Sequence, residues 1–292
     1  MSAGEHGRSE ISLPQGTLRY REVGEGPPIV FVHGLLVDGA LWDGTVEALG
    51  AGFRCLLPDL PFGSHRLAMD PGADLTPTGM AKLVADFMER LELEEVTLVG
   101  NDSGGAVSQI VATRHPERLA RLVLTPCDAY ETFPPRMFAY LKPLARIPGG
   151  LAMIANSMRL DANRRSPLAY GWLTKRRIPS ELLERWTRPV IEDRGVRRDT
   201  AKVIRDVSNR YTLEAARRLP ELDRPALIVW AADDRFFDLA LGRRLAADIP
   251  DARFELVEDS RTFLPLDQPE RLAELIAAFV ERTAADARAP AT

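Results

Sequence analysis

The chain has 292 residues, 45% of them apolar and 27% charged, a composition that can bury a large core and is too hydrophobic for a disordered chain. Against 42 Asp+Glu stand 38 Lys+Arg, a formal charge of −4, and that balance argues against a nucleic-acid partner. Cys55 and Cys127 lack the spacing of a zinc site or disulfide framework, and the polar start MSAGEHGRSE is unlike a signal peptide. With no apolar run of membrane-spanning length, these features predict a cytoplasmic protein without a metal or other cofactor.

Taken in chain order, Ile11–Leu13 and Thr17–Val23 flank a Gln15-Gly16 turn and predict an antiparallel hairpin at a sheet edge. Pro28–Val32, closed by His33-Gly34, is a continuous apolar run of the kind a strand buried on both faces requires. The pattern recurs at Phe53–Leu57, Val96–Gly100, Arg121–Thr125 and Ala226–Ala231, with a further candidate at Arg253–Val257. Helical stripes lie between them, for instance Leu83, Val84, Phe87, Met88 and Leu91, and at the C-terminal end Leu272, Leu275, Ile276, Phe279 and Val280. Alternating strands and helices imply an α/β fold with a mostly parallel sheet covered on both faces.

The alternation stops between about 130 and 220, where helical patches such as Glu181–Trp186 and Thr200–Tyr211 are punctuated by Phe133-Pro134-Pro135 and Ile147-Pro148-Gly149-Gly150. We read 11–129 and 221–283 as the core, 130–220 as a helical cap, and 1–10 and 284–292 as flexible termini. Charge is unevenly shared. Tyr130–Pro220 holds 19 Lys+Arg and 9 Asp+Glu, a local +10, and the remainder carries 19 against 33, or −14. A basic cap over a site would steer an anionic small molecule, although a solvated basic surface explains the same count.

The most specific motif follows the Val96 strand: Gly100-Asn101-Asp102-Ser103-Gly104-Gly105. Small residues on both sides of a central side chain suit a sharp strand-to-helix turn, because the two backbones approach too closely for a Cβ. With Gly100, Gly104 and Gly105 in the small positions, the central slot falls on Asp102. The other frame puts Ser103 there but needs Asn101 where a small residue belongs, and the plain alternative is an Asp capping the next helix.

This motif, with His33-Gly34-Leu35-Leu36 after an earlier strand and Trp230-Ala231-Ala232-Asp233-Asp234 after a later one, resembles the α/β-hydrolase fold superfamily. An Asp in the nucleophile slot is similar to its haloalkane dehalogenase and epoxide hydrolase branch. That resemblance implies an α/β-hydrolase fold and hydrolysis of a small, mostly apolar substrate through an alkyl ester on Asp102. It implies Leu35 and Ser103 amides as the oxyanion hole and Asp234 as the triad acid, with Asp128 as the alternative acid. His33 would organise the substrate-side loop, and Tyr140, Tyr170 and Tyr211 are candidates for substrate contact from the cap, where epoxide hydrolases use tyrosines to protonate the opening oxygen. Monomer and homodimer are both compatible with the sequence.

One departure stands out. The position expected to carry the triad histidine aligns with Thr262, in Ser260-Arg261-Thr262-Phe263-Leu264-Pro265, and no histidine lies C-terminal to Asp234. A carboxylate needs no base to attack, but water must be activated to hydrolyse the ester, and threonine cannot do so at neutral pH. The candidate substitutes are His65, in Gly63-Ser64-His65, or a carboxylate, Asp234 or Asp128, acting on water directly. The alternative is a non-hydrolytic relative: a lyase, an isomerase or a ligand-binding pseudoenzyme.

Overall fold

A computed structural model describes residues 8–288, with side chains described for 9–286. Eight strands form one sheet: β1 (Arg8–Leu13), β2 (Gly16–Val23), β3 (Pro28–Val32), β4 (Arg54–Pro58), β5 (Val96–Asp102), β6 (Leu119–Cys127), β7 (Ala226–Ala231) and β8 (Ala252–Val257). Their order is β1-β2-β4-β3-β5-β6-β7-β8. β2 is antiparallel to both β1 and β4, and the other pairings are parallel. The hairpin expected at a sheet edge is therefore present.

Successive residues of the central strands face opposite sides, as the period of two requires. Val30, Val32 and Leu98 pack with helices 77–90 and 103–114, and Ile29, Phe31 and Val99 pack with helices 43–49 and 269–288. Two apolar layers thus sandwich the sheet. Thr76 starts the helix over 77–90 by accepting from the Gly79 amide at 3.1 Å, with Pro77 in its first turn, where a missing N–H costs nothing.

Chain order and strand order part company around β3. The chain passes outward from β3 to β4 and then returns to β5 on the other side of β3. Ligands of open α/β sheets bind in the crevice that such a reversal opens at the carboxyl ends of the strands. The loops after β3 and β5, carrying Gly34-Leu35 and Asp102-Ser103, meet there.

Two sequence expectations need correction. Residues 8–10, expected in a flexible start, belong to β1, where Ser9 and Glu10 pair with Tyr20 and Arg19; the helix expected to end by 283 runs on to Arg288. The remaining terminal residues, 1–7 and 289–292, lie outside the described region. The single helical patch expected over Thr200–Tyr211 is two helices, 194–206 and 209–218. Ser208 leaves helical geometry and caps the second through the Arg210 amide.

The stretch between β6 and β7 includes helices at 141–146, 150–157, 161–164, 180–192, 194–206 and 209–218. It is fastened to the core by buried polar contacts. Asp38, in the loop after β3, accepts from Arg185 Nε at 2.7 Å, Trp186 Nε1 at 3.0 Å and the Ala40 amide at 3.0 Å. Ser64 Oγ donates to the Trp186 carbonyl at 2.7 Å. The Arg185 guanidinium and the donated hydrogen bonds hold the Asp38 carboxyl below the usual carboxylate range despite its burial. A group so depressed stabilises the fold above the ordinary carboxylate pKa and loses that contribution as pH falls through its own. Asp38→Asn is expected to cost about 2–3 kcal/mol at neutral pH, and the difference from wild type should shrink in acid; denaturant unfolding at pH 7 and pH 4 checks both.

Candidate active site

Asp102 ends β5 with φ 53° and ψ −132°, a left-handed conformation that costs a non-glycine residue energy and has to be enforced by its surroundings. The enforcement is steric. A Cβ on Gly104 would lie 2.3 Å from the Val32 carbonyl oxygen, and one on Gly105 would lie 2.2 Å from Cys127 Cβ. The helix over 103–114 can approach the strands this closely because those two residues have no side chains. A Cβ on Gly34 would fall 2.1 Å from Asp102 Oδ2, so the loop after β3 is equally shaped around the carboxylate.

The Asp102 side chain does not cap the helix that follows. It faces the backbone N–H groups of Ser103 and Leu35, which favour its charged form. Burial outweighs them and, with the like charge of Asp234, pushes the pKa up to about 7. Asp102 and Ser103 form the floor of a cavity with about 100 Å³ of space open to water centres. Leu35 and Leu36 wall it from the core, and residues between Pro134 and Val207 roof it, so the helical segment is a cap over the elbow. The lining is apolar apart from Asp102, Ser103, Tyr140, Lys142, Tyr170 and Thr187.

Asp234 follows β7. Its Oδ1 accepts from the amides of Phe236 at 2.7 Å and Phe237 at 2.8 Å, and from Thr262 Oγ1 at 3.1 Å. Its Oδ2 is buried and has no hydrogen-bond partner. Burial raises its pKa to about 6 against the pull of those donors. Thr262 is wholly buried, and its carbonyl accepts from Asn101 Nδ2 at 2.7 Å, which ties the loop after β8 to the elbow. Asn101 was passed over in the sequence because only its size seemed to matter; its amide also reaches Thr125 Oγ1 at 2.9 Å.

Asp128 sits at the end of β6, wholly buried, with neither oxygen in a well-formed hydrogen bond. Burial and the Asp102 charge raise its pKa well above normal, and the Ser103 hydroxyl opposes them weakly. It lies beside the elbow but outside the cavity lining.

His65, considered as a substitute base, is placed elsewhere. It is buried, with Nδ1 accepting from the Gly63 amide at 3.2 Å and Nε2 3.4 Å from Asp199 Oδ2, a residue of the cap that also accepts from the Met69 amide at 2.7 Å. Both ring nitrogens are engaged, Nδ1 within its own loop and Nε2 toward the cap, and His65 does not line the cavity. His33 is likewise internal. Its Nε2 accepts from the Leu60 amide at 2.9 Å, its Nδ1 donates to the Gly34 carbonyl at 2.9 Å, and burial lowers its pKa to about 4, so it shapes the loop as a neutral ring without reaching the cavity.

Of the three tyrosines, Tyr140 and Tyr170 line the cavity. Their hydroxyls donate to the carbonyls of Leu168 at 3.0 Å and Leu36 at 2.5 Å. Tyr211 is packed away from it, its hydroxyl accepting from the Arg210 guanidinium. Lys142, in the lining, was not singled out in the sequence, where one lysine among 19 cationic cap residues carries no signal.

Among the described residues no cluster of His, Cys, Asp and Glu could hold a metal ion, and no helix is long and apolar enough to cross a membrane.

The buried charge at Asp102 carries a stability cost whose sign is fixed by its raised pKa. The folded state is penalised above the ordinary carboxylate pKa, increasingly up to about pH 7. Asp102→Asn should therefore stabilise the fold by up to about 4 kcal/mol at pH 8, falling to about 1–2 kcal/mol at pH 5, measured by denaturant unfolding.

Comparison with known proteins agrees with the architecture. The family model for the alpha/beta hydrolase fold matches residues 27–269. Haloalkane dehalogenase 2 of Mycobacterium tuberculosis is 27% identical, with 92% of each chain covered. The 2-hydroxy-6-oxo-6-phenylhexa-2,4-dienoate hydrolase of Comamonas testosteroni is also 27% identical, over 85% of each. Among solved structures, haloalkane dehalogenase DbeA from Bradyrhizobium elkani superposes with a TM-score of 0.80 at 19% identity, covering 96% of this chain and 99% of that one. The chain belongs to the alpha/beta hydrolase fold family, among relatives named as hydrolases and dehalogenases.

Proposed function

We propose that this protein hydrolyses a small, mostly apolar substrate through an alkyl ester on Asp102, with an epoxide favoured over a haloalkane. The observation that carries this reading is the Asp102 carboxylate itself, held at a strained elbow, facing the Leu35 and Ser103 amides and opening onto an apolar cavity. One carboxylate oxygen attacks carbon and the C–O bond of the epoxide breaks with its electron pair, leaving an alkoxide. The hydroxyls of Tyr140 and Tyr170 line the cavity and are the donors that can supply its proton once turned from the Leu168 and Leu36 carbonyls they hold. No tryptophan of the described residues lines the cavity to hold a departing halide by its indole N–H, which is why oxygen is the preferred leaving group.

The second half-reaction needs a base where Thr262 stands. We assign it to Asp234. Its Oδ2 is uncommitted, its pKa near 6 keeps it ionised at neutral pH, and it lies close enough to raise the pKa of Asp102. Asp234 takes a proton from water, the hydroxide adds to the ester carbonyl carbon, and the Leu35 and Ser103 amides stabilise the resulting oxyanion. Collapse expels the second alcohol oxygen, which receives the proton from Asp234, and leaves Asp102 as a carboxylic acid; that acid's proton returns through solvent to the tyrosinate left by ring opening, restoring both groups. A carboxylate alone is a weaker base than a histidine paired with one, so discharge of the ester is expected to limit turnover.

Incubation with styrene oxide and 1-bromobutane, followed by intact-protein mass, tests the scheme. The expected result is an adduct on Asp102 that persists longer in Asp234→Asn and is discharged faster in Thr262→His. Adduct formation should slow as pH falls below about 7, where Asp102 is protonated, and discharge should slow below about 6, where Asp234 is. Neither adduct nor product with either compound class would overturn the nucleophile assignment. The Thr262 substitution favours one competing reading, a lyase, an isomerase or a ligand-binding relative, and conversion or binding without an adduct would select it.

Lys142 adds a preference for a negatively charged substrate. It is the one cation among the described lining residues, has no ion-pair partner among the described residues, and is not a principal influence on the Asp102 carboxylate. An epoxide ending in a carboxylate should react with a kcat/KM about tenfold above that of its methyl ester, and Lys142→Met should erase the difference without changing the rate on the ester.

A further inference from the structure

The cap carries exposed apolar side chains where the rest of the surface has few. Six large hydrophobic residues are strongly exposed among the described residues, and four of them fall within 22 positions: Ile147 (55% exposed), Met153 (64%), Leu160 (63%) and Leu168 (54%). Each is a side chain that burial would stabilise, and a grouping of them marks an interaction surface.

These four residues belong to one end of the cap. Helix 150–157 turns Leu151 and Ala155 inward, where they line the cavity, and leaves Met153 outward. The helix over 141–146, which leads to Ile147, packs against it. Asn163 Nδ2 donates to the Ser157 carbonyl at 2.9 Å, bringing the turn after Leu160 to the end of the same helix, and Tyr140 Oη donates to the Leu168 carbonyl at 3.0 Å. Leu168 is both half exposed and part of the cavity wall, so the cavity reaches the surface beside this patch.

The charge around the patch is one-sided. Residues 136–168 contain Arg136, Lys142, Arg146, Arg159, Arg164 and Arg165 against the single acid Asp161. Arg164 and Arg165 are turned to Asp161, whereas Arg136, Arg146 and Arg159 are exposed and have no ion pair among the described residues. Apolar side chains among unpaired cations fit a surface that offers both acyl chains and negative charge. A second copy docking through the same face would bring two basic segments together, which the Coulomb term opposes.

We propose that the 147–168 face of the cap docks on an anionic lipid bilayer, with Ile147, Met153, Leu160 and Leu168 entering the interface and the exposed arginines meeting headgroups. The cavity mouth then faces the bilayer, and an amphiphile dissolved there reaches Asp102 without crossing water. Docking needs no chemistry and stands apart from the assignment of the nucleophile.

Flotation of the full chain with vesicles tests the proposal, using phosphatidylcholine alone and phosphatidylcholine mixed with phosphatidylglycerol. Binding is expected to the mixed vesicles and not to phosphatidylcholine alone, with release at high salt. The exposed double substitution Met153→Asp with Leu160→Asp should weaken it by about tenfold or more while leaving the Tm unchanged. An Asp102→Asn variant should bind as the wild type does. Absence of binding to the mixed vesicles would overturn the proposal, as would binding that the double substitution leaves intact. A dimer in light scattering that the double substitution dissolves, without vesicle binding, would overturn it in favour of a second copy.

Discussion

The site depends on how closely the helix over 103–114 can approach the ends of β3 and β6. Gly104 and Gly105 permit contacts with Val32, His33 and Cys127 that any side chain would block, and the chain must then turn through a left-handed residue at Asp102. That one constraint aims a carboxylate at the Leu35 and Ser103 amides and into the cavity. It also explains why the loop after β3 is built on Gly34, since the carboxylate occupies the space of a side chain there. Strain of this kind persists because a sheet packed on both faces holds it in place.

The second determinant is a concentration of buried carboxyl groups. Asp102, Asp128 and Asp234 come from the ends of three strands that are neighbours in the sheet, and burial raises the pKa of each. Among the described residues no imidazole reaches them. The two core histidines are used for architecture instead, His33 inside the loop after β3 and His65 against Asp199 of the cap. Burial favours the neutral form of all three, and a pKa near 6 leaves Asp234 ionised at neutral pH yet able to take and return a proton.

The sheet was readable from sequence because its buried strands appear as uninterrupted apolar runs, and the elbow because glycine is required wherever two backbones nearly touch. Both are local signals. The attachment of the cap was not readable, since Asp38 and Trp186 are 148 positions apart and His65 and Asp199 are 134 apart, and nothing in a linear pattern pairs them. The same distance explains why His65 looked available as a base. Its neighbourhood, a loop at the carboxyl edge of the sheet, is where ligands of such sheets bind, but its partner is a cap residue invisible from that loop. The break between the helices at 194–206 and 209–218 turned on Ser208, a residue that fits a helix interior poorly but equally fits a helix surface until its capping geometry is seen.

The near-neutral total charge conceals a division of labour. An acidic core carries the carboxylates of the site, and a basic cap roofs it with Lys142 facing the cavity and unpaired arginines beside an exposed apolar patch. The central claim, that Asp102 becomes covalently esterified and that water then attacks its carbonyl carbon, has a direct isotopic signature. In a single turnover of the wild-type protein with styrene oxide in heavy-oxygen water, the account predicts the label in the Asp102 peptide and an unlabelled first product, because the product oxygen comes from the carboxylate. Label in the first product with none on Asp102 would contradict it.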